Sequence, residues 1–394
     1  MSDPIGVGIV GLSARGGWGA SAHLPAMGAV GGFELRGLVA SSVDAGRAAS
    51  ERYGARSYSS VTQLADAEDI DLVVVTVKTP RHRELVLAAT AAGKSVFCEW
   101  PFAVSLREAV EMADSATGLP SFVGLQGRSS PAFRWIADLV SDGYVGEVLS
   151  ASVLSAVSEW GSPILPDAQY TLDRDQGATM LGIGFGHAID PVLMVTGELR
   201  DVVATTALRH PYVSLGRTGR LVPMTADDQI AISGSLPSGG VLSAHQRGGT
   251  SSGPGFSMIV DGTAGTLEAS ATNHPHIAPV TIRGKRGNEP MATLQPPAAY
   301  DAYPSLAGTA IHTLAHAYAG IRHSLRGGAS TVPDFAHAVK RHRLLDAISE
   351  SAATGHRLRL SASLNALEPH NVPAPTETTY PSPSSYTKLN KDTP

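Results

Sequence analysis

The residues of this 394-residue chain that could do chemistry fall in a few places. Foremost is the segment 6–26, Gly-Val-Gly-Ile-Val-Gly-Leu-Ser-Ala-Arg-Gly-Gly-Trp-Gly-Ala-Ser-Ala-His-Leu-Pro-Ala. The apolar run Ile5 to Val10 reads as a buried strand, a glycine-rich turn follows, and small residues then start a helix. Exposed backbone N–H groups at such a helix N-terminus hold a pyrophosphate, and glycines let the phosphate approach the backbone closely. Gly11, Ser13, Ala14, Gly17 and Trp18 are the expected contacts. The usual G-x-G-x-x-G is stretched, with Ser13 where the second glycine belongs and Gly16, Gly17 and Gly19 arriving late. Lys78 follows the apolar run Leu72–Val77, at the strand end where parallel sheets present ligand-binding side chains. A desolvated lysine there would act as acid or base; a lysine paired with a cofactor phosphate, or with a carboxylate such as Glu99, would bind instead. His187 is the best general acid–base candidate, because imidazole titrates near neutral pH. Asp190, three residues on, would share its helical face and orient the ring. His312 and His316 form an i, i+4 pair, but with no Cys, Asp or Glu close in sequence they read as one helix face, and no metal is expected.

The elements that must position these groups alternate regularly in the first third. Strands are expected at Leu35–Ala40, Leu72–Val77 and Ser95–Cys98, and helices at Asp44–Tyr53, Val61–Ala67 and Arg83–Ala92. A further helix begins at Ser105, with Glu108 completing a capping box. Such βαβ alternation implies a Rossmann-type doubly wound parallel sheet with dinucleotide held at its carboxyl edge. The second strand ends in Ser41 and Ser42, with Arg47 one helical turn on. Hydroxyls and a cation there favour NADP, while Asp44 leaves NAD open.

Beyond Leu125 the rhythm changes. A helix over Pro131–Val140 leads to strands at Glu147–Ser158, Asp201–Leu208, Gln229–Leu236, Val241–Gln246, Phe256–Val260 and Thr266–Ala269. Late helices are expected at Ile311–Leu325 and Asp334–Ala352. The expected layout is a nucleotide domain over 1–124, an α/β domain with a largely antiparallel open sheet over 125–364, and a flexible Pro/Ser/Thr-rich tail over 365–394.

Composition is ordinary for a globular protein: 43% hydrophobic, 16% charged, net charge −5. There is no basic surplus to argue for nucleic acid, and no run approaches the ~20 apolar residues of a membrane span. One cysteine, Cys98, excludes an intramolecular disulfide and fits a reducing, cytoplasmic setting.

Three motifs resemble the glucose–fructose oxidoreductase/inositol dehydrogenase (Gfo/Idh/MocA) family over roughly 5–362. They are the glycine loop ending in His23-Leu24-Pro25-Ala26, the segment 92–101 reading Ala-Gly-Lys-Ser-Val-Phe-Cys-Glu-Trp-Pro, and the segment 184–190 reading Gly-Phe-Gly-His-Ala-Ile-Asp. The segment from Pro333 to Gly355 also matches a common family ending. The resemblance implies an NAD(P)-dependent oxidoreductase of sugars, cyclitols or their derivatives. It implies that Glu99, Trp100 and Pro101 border the cofactor and that His82 lies near the nicotinamide ribose. It also implies a homodimer or higher homo-oligomer, paired through the open face of the second sheet. The departures are specific. Trp100 stands in place of the family's catalytic lysine, and Ile183 in place of its aspartate. The stretched loop, the Val77-Lys78-Thr79-Pro80 run and Glu99-Trp100-Pro101 look most like the subgroup containing the fungal galactose-regulon corepressor.

The expected function is therefore hydride transfer between nicotinamide and a sugar-like substrate. His187 and Lys78 would handle the proton, and Trp100 would either stack as a pocket wall or pack the domain interface. Two other readings stand beside it: a non-catalytic NAD(P)-binding sensor that engages a transcription factor, and an oxidoreductase of a non-sugar biosynthetic carbonyl.

Overall fold

Strands apolar on both faces need cover on both faces, and the first third of the chain supplies it with alternating helices. The computed structural model describes residues 3–161, 163–253 and 255–360; the expected tail over 365–394 lies outside the described residues. Strands β1 (Ile5–Val10), β2 (Phe33–Val39), β3 (Arg56–Ser57), β4 (Leu72–Val75), β5 (Ser95–Cys98) and β6 (Ser121–Val123) form one parallel sheet in the order β3-β2-β1-β4-β5-β6. That is the doubly wound dinucleotide-binding order, with the switch point between β1 and β4. Helices α1 (Leu24–Val30), α2 (Val43–Tyr53), α3 (Val61–Ala65), α4 (His82–Ala91) and α5 (Leu106–Ser115) connect it. Serine caps start three of them: the Ser42, Ser60 and Ser105 side chains accept from Ala45, Gln63 and Glu108 N–H. β4 ends two residues earlier than expected, at Val75, because Thr76 turns inward and donates its hydroxyl to Val10 O.

The second sheet follows α6 (Pro131–Ser141). It consists of β7 (Val148–Ala156), β8 (Asp201–Ala207), β11 (Gln229–Ser235), β12 (Val241–Arg247), β13 (Gly255–Gly262), β14 (Gly265–Ala271), β15 (Thr281–Arg286), β16 (Ala292–Leu294) and β17 (Leu358–Arg359); β9 (Tyr212–Leu215) and β10 (Arg220–Pro223) make a separate hairpin. Its order is β16-β15-β14-β13-β7-β12-β11-β8-β17, antiparallel throughout except for β7 with β12. The inward phase (Val153, Leu242, Ala244, Met258, Val260, Leu267) is buried under α6, α7 (Gly186–Thr196) and α9 (Phe335–Thr354). The outward phase carries Ser152, Leu154, Ser243 and Ser257 and has no covering element among the described residues.

The chain does not leave the nucleotide domain for good at residue 124. Helix α8 (His312–Leu325) returns to it and buries Leu314, Ala315, Tyr318 and Ile321 in the same core as Val7, Ile9, Leu38 and Phe97. Just beyond it, Pro333 O accepts the Val123 N–H. Residues well past the boundary expected at 124 thus share the core of the first sheet.

Candidate functional site

The glycine turn after β1 is shaped by close approach. Gly11 has φ +101°, and a Cβ on it would lie 2.8 Å from Val77 Cγ1. Gly17 has φ +98°, and no atom lies within 4 Å of where its Cβ would be, so the space in front of the turn is open. A wide helical turn, Gly19–His23, runs directly into α1 and aims its N-terminal end at that space. From behind, Arg52 donates to Ala14 O at 2.6 Å and Tyr53 OH to Ser13 O at 3.0 Å. The Trp18 indole N–H is buried without a partner. An open cradle with an orphaned donor fits the pyrophosphate of a dinucleotide. At the end of β2, Ser41 is exposed and Arg47 reaches Asp44 at 3.2 Å.

A buried polar chain crosses the carboxyl ends of β1 and β5. Tyr318 OH and His23 Nδ1 are 2.7 Å apart, His23 Nε2 lies 3.0 Å from Glu99 Oε1, and Gln126 Nε2 is 3.4 Å from Glu99 Oε2. Neither His23 nor Tyr318 was singled out in the sequence as a working residue.

Several expected roles are altered by the geometry. Lys78 is exposed, with Nζ 4.8 Å from the Tyr170 ring centroid. The desolvation that would make it an acid–base group is missing, because β4 ends at Val75 and the chain has already turned outward. His82 is buried, with its ring nitrogens 2.9 and 3.1 Å from the carbonyls of Val77 and Phe102, so it ties this strand end to the segment after Pro101. Trp100 is buried, donates Nε1–H to Gly182 O at 2.8 Å and lies against His342 with centroids 4.9 Å apart. Its donor is thus taken by Gly182 O and its ring lies against His342.

His187 stands at the start of α7, after the wide turn Leu181–Phe185. Its ring stacks on His276, with centroids 3.8 Å apart and planes 17° apart, and His274 lies beside His276 at 5.4 Å. The Nδ1 atoms of all three are buried without a partner. Burial, with His274 adding to it, pushes His187 down to about 3, and His276 is lowered well below the ordinary imidazole range for the same reasons. Burial thus holds His187 as a neutral imidazole in place of the neutral-pH titration expected of it. Gln246 is buried with both amide atoms unpartnered, its Nε2 3.5 Å from where a Gly184 Cβ would be. Ser155, its register partner on β7, is buried with a free hydroxyl. Unpaired buried polar groups cost roughly 1–3 kcal/mol each, so five side chains left this way, His187, His274, His276, Gln246 and Ser155, point to a polar ligand or ordered water.

Asp190 does not orient His187. It accepts from His337 at 2.7 Å, Arg341 at 3.0 Å and Arg128 at 3.1 Å, and Arg341 also reaches Glu198 at 3.0 Å. Burial alone would raise the Asp190 carboxyl, but Arg341, His337 and Arg128 hold it well below the usual range. The i, i+3 spacing shared a turn, yet α9 and the Arg128 segment captured the carboxylate first. The premise that His312 and His316 lack a carboxylate is also overturned: Asp301 Oδ1 lies 2.9 and 3.0 Å from their Nε2 atoms.

The missed residues had a sequence signal. Gln246 falls on the inward phase of β12 with Leu242 and Ala244, and Ser155 on that of β7 with Val153. A polar residue on the buried phase of a half-buried strand marks a site. His274 and His276 sit in the loop between β14 and β15 and carried no such pattern.

Residues 5–124 match the family model described as oxidoreductase family, NAD-binding Rossmann fold, and residues 131–271 match that of the Gal80p C-terminal domain. The chain is 34% identical over 184 residues, 45% of its length and 50% of the relative's, to dehydrogenase aclE of Aspergillus oryzae. It is 27% identical over 267 residues, 62% of its length and 61% of the relative's, to the galactose/lactose metabolism regulatory protein of Saccharomyces cerevisiae. These alignments span about half to three-fifths of the relatives they match. A super-repressor mutant of Gal80p from Saccharomyces cerevisiae superposes with TM-score 0.82 at 23% identity, covering 91% of this chain and 99% of that one. Levoglucosan dehydrogenase in complex with NADH and L-sorbose superposes with TM-score 0.76 at 22% identity, covering 91% and 100%. With an NAD-binding frame over its first third and a Gal80p-type second domain, the chain belongs to the Gfo/Idh/MocA oxidoreductase family, as a member resembling Gal80p.

Proposed function

We propose that the protein is an NAD(P)-dependent oxidoreductase acting on a polyhydroxylated, sugar-like substrate, with NADP preferred. The observation that carries the reading is the group of buried, unpartnered polar side chains His187, His276, Gln246 and Ser155 next to the nucleotide frame. A substrate rich in hydroxyls would satisfy them, whereas an apolar ligand would leave them unpaired at full cost. With its pyrophosphate held by the Gly11–Gly19 turn, a dinucleotide would supply or accept the hydride through its nicotinamide. His187, held neutral, would hydrogen-bond the reacting oxygen and polarise it without carrying charge, the hydroxyl proton passing to water on oxidation and returning from water on reduction. Its stack on His276 fixes the ring plane. Gln246 and Ser155 bind neighbouring hydroxyls and set the substrate's orientation. Lys78, exposed, serves as a cation for the cofactor or the substrate edge. Ser41, Ser42 and Arg47 at the end of β2 favour a 2′-phosphate. Sugar dehydrogenases among the relatives, such as D-apiose dehydrogenase of Paraburkholderia graminis at 26% identity over 355 residues, support the substrate class. Among the described residues no helix is long and apolar enough to cross a membrane. The buried thiol of Cys98 suits a reducing cytoplasm. A second copy would cover the open face of the second sheet, where Leu154 and Val241 are exposed.

The test is nicotinamide absorbance, followed in both directions over a panel of sugars, polyols, cyclitols and lactones with each cofactor. Turnover that falls at least tenfold in His187→Ala and persists in Lys78→Ala is expected. No turnover on any member sinks the proposal. A second reading is favoured by one observation: Trp100 and Ile183 occupy the places of the family's lysine and aspartate, and both are packed into the core. In that reading the protein is a dinucleotide-dependent regulator, and the absence of turnover would come with tight cofactor binding and capture of a transcription factor.

A further inference from the structure

We propose that Asp301, His312 and His316 form a binding site for a divalent transition cation such as Zn2+, which pins helix α8 to the loop leading into it. His312 and His316 occupy successive turns of one face of α8, so their side chains rise in parallel. Their Nε2 atoms converge on a single carboxylate oxygen, Asp301 Oδ1, at 2.9 and 3.0 Å, and all three atoms lie within 4.8 Å of one another. A cation ~2.0–2.2 Å from each of three such ligands would space them ~2.9–3.5 Å apart. Two of the three spacings already fall in that range, and the third, between the imidazoles, lies within 4.8 Å.

Hydrogen bonding alone accounts poorly for this geometry. Asp301 Oδ1 also accepts the Tyr303 N–H at 3.0 Å, so three N–H groups would share one oxygen with two lone pairs. A cation at the point of convergence replaces the two imidazole contacts with coordination bonds and leaves Tyr303 N–H as the hydrogen bond that orients the carboxylate. Two imidazoles with one carboxylate select Zn2+, Co2+ or Ni2+ over Mg2+ or Ca2+, which prefer all-oxygen sites. Three protein ligands leave at least one position to water.

The location gives the site its consequence. Tyr300, next to Asp301, donates its hydroxyl to Asp138 of α6 at 2.5 Å, whereas α8 is buried in the nucleotide core through Leu314, Tyr318 and Ile321. A cation here would fasten the two domains across their seam. It lies outside the cluster assigned to substrate and does not depend on that assignment.

The experiment uses the full chain, stripped with chelator and titrated with ZnCl2 by calorimetry and by thermal melting. One saturable equivalent is expected, with a rise in melting temperature. The double variant His312→Gln/His316→Gln should lose both, while His323→Gln, farther along α8, keeps them. Wild-type protein that takes up no saturable equivalent overturns the proposal, as does a double variant that binds like wild type. Should the double variant fail to fold, wild-type protein is treated with diethylpyrocarbonate with and without Zn2+. Protection of His312 and His316, read by peptide mass, supports the site; equal modification overturns it.

Discussion

Replacing Asp190 with asparagine separates a structural carboxylate from a catalytic one. Asp190 is 1% exposed and meets Arg341, which is fully buried, together with His337 and Arg128. Removing one partner of a buried ion pair costs about 3–5 kcal/mol, because the other charge stays buried. Arg341 keeps Glu198 through contacts at 3.0 and 3.2 Å, which places the expected loss near the lower end, about 3 kcal/mol. At roughly 2–4 °C per kcal/mol, the melting temperature should fall by about 6–12 °C. Glu198→Gln, at a site 35% exposed, should cost less than about 1 kcal/mol. The assay is thermal and urea unfolding followed by both circular dichroism and tryptophan fluorescence, since two domains need not unfold in one step. The same carboxylate sets an acid limit. Its native pKa is depressed, so its contribution is complete above about pH 4 and drains away as the pH falls toward the native value. An Asp190→Asn protein that melts within about 2 °C of wild type yet loses turnover would refute the reasoning. Asp190 would then act on His187 after all.

Two further outcomes follow from the same geometry. Gly11→Ala forces a left-handed φ on alanine, costing about 1–2 kcal/mol, and drives its methyl toward Val77; dinucleotide affinity, read by fluorescence titration, should fall at least tenfold. His187 and His342 are both lowered to about 3, and His342 Nε2 accepts the Ala103 N–H, so the unfolded chain binds more protons than the native one below about pH 6.5. Stability is full above that pH and should fall by up to about 1.4 kcal/mol per unit for each histidine as the pH drops toward 3, and a urea midpoint unchanged between pH 7.5 and 5 would count against it.

The first domain was legible because its signals are local: β-branched runs, a serine before each of three helices, and glycines whose positive φ follows from the turn they make. β5 was read to the residue. The second sheet was legible as alternation, but β15 carries a single large apolar residue, Ile282, and β9, β10 and β16 run for only three or four residues, too short to show a period. The site was harder for a physical reason. Its side chains are chosen by tertiary competition, which spacing does not encode. Asp190 shares a helical turn with His187, but Arg341, 151 residues away in sequence, takes its carboxylate. Lys78 sits at a strand end in sequence, but the inward turn of Thr76 releases it to solvent. His276 stacks on His187, and Gln246 comes close to Gly184, only once the sheet has formed.

The return of α8 into the nucleotide core bears on how the molecule is made. Val7, Ile9, Leu38 and Phe97 leave the ribosome early, yet Leu314, Tyr318 and Ile321, which complete their packing, follow ~200 residues later. At ~5–20 residues per second, the half-built sheet waits on the order of 10–40 s with an apolar face uncovered. The second domain is synthesised during that wait and can fold as a unit. Until α8 arrives the nascent first domain keeps that face open, and a fragment ending near residue 124 should be prone to aggregate.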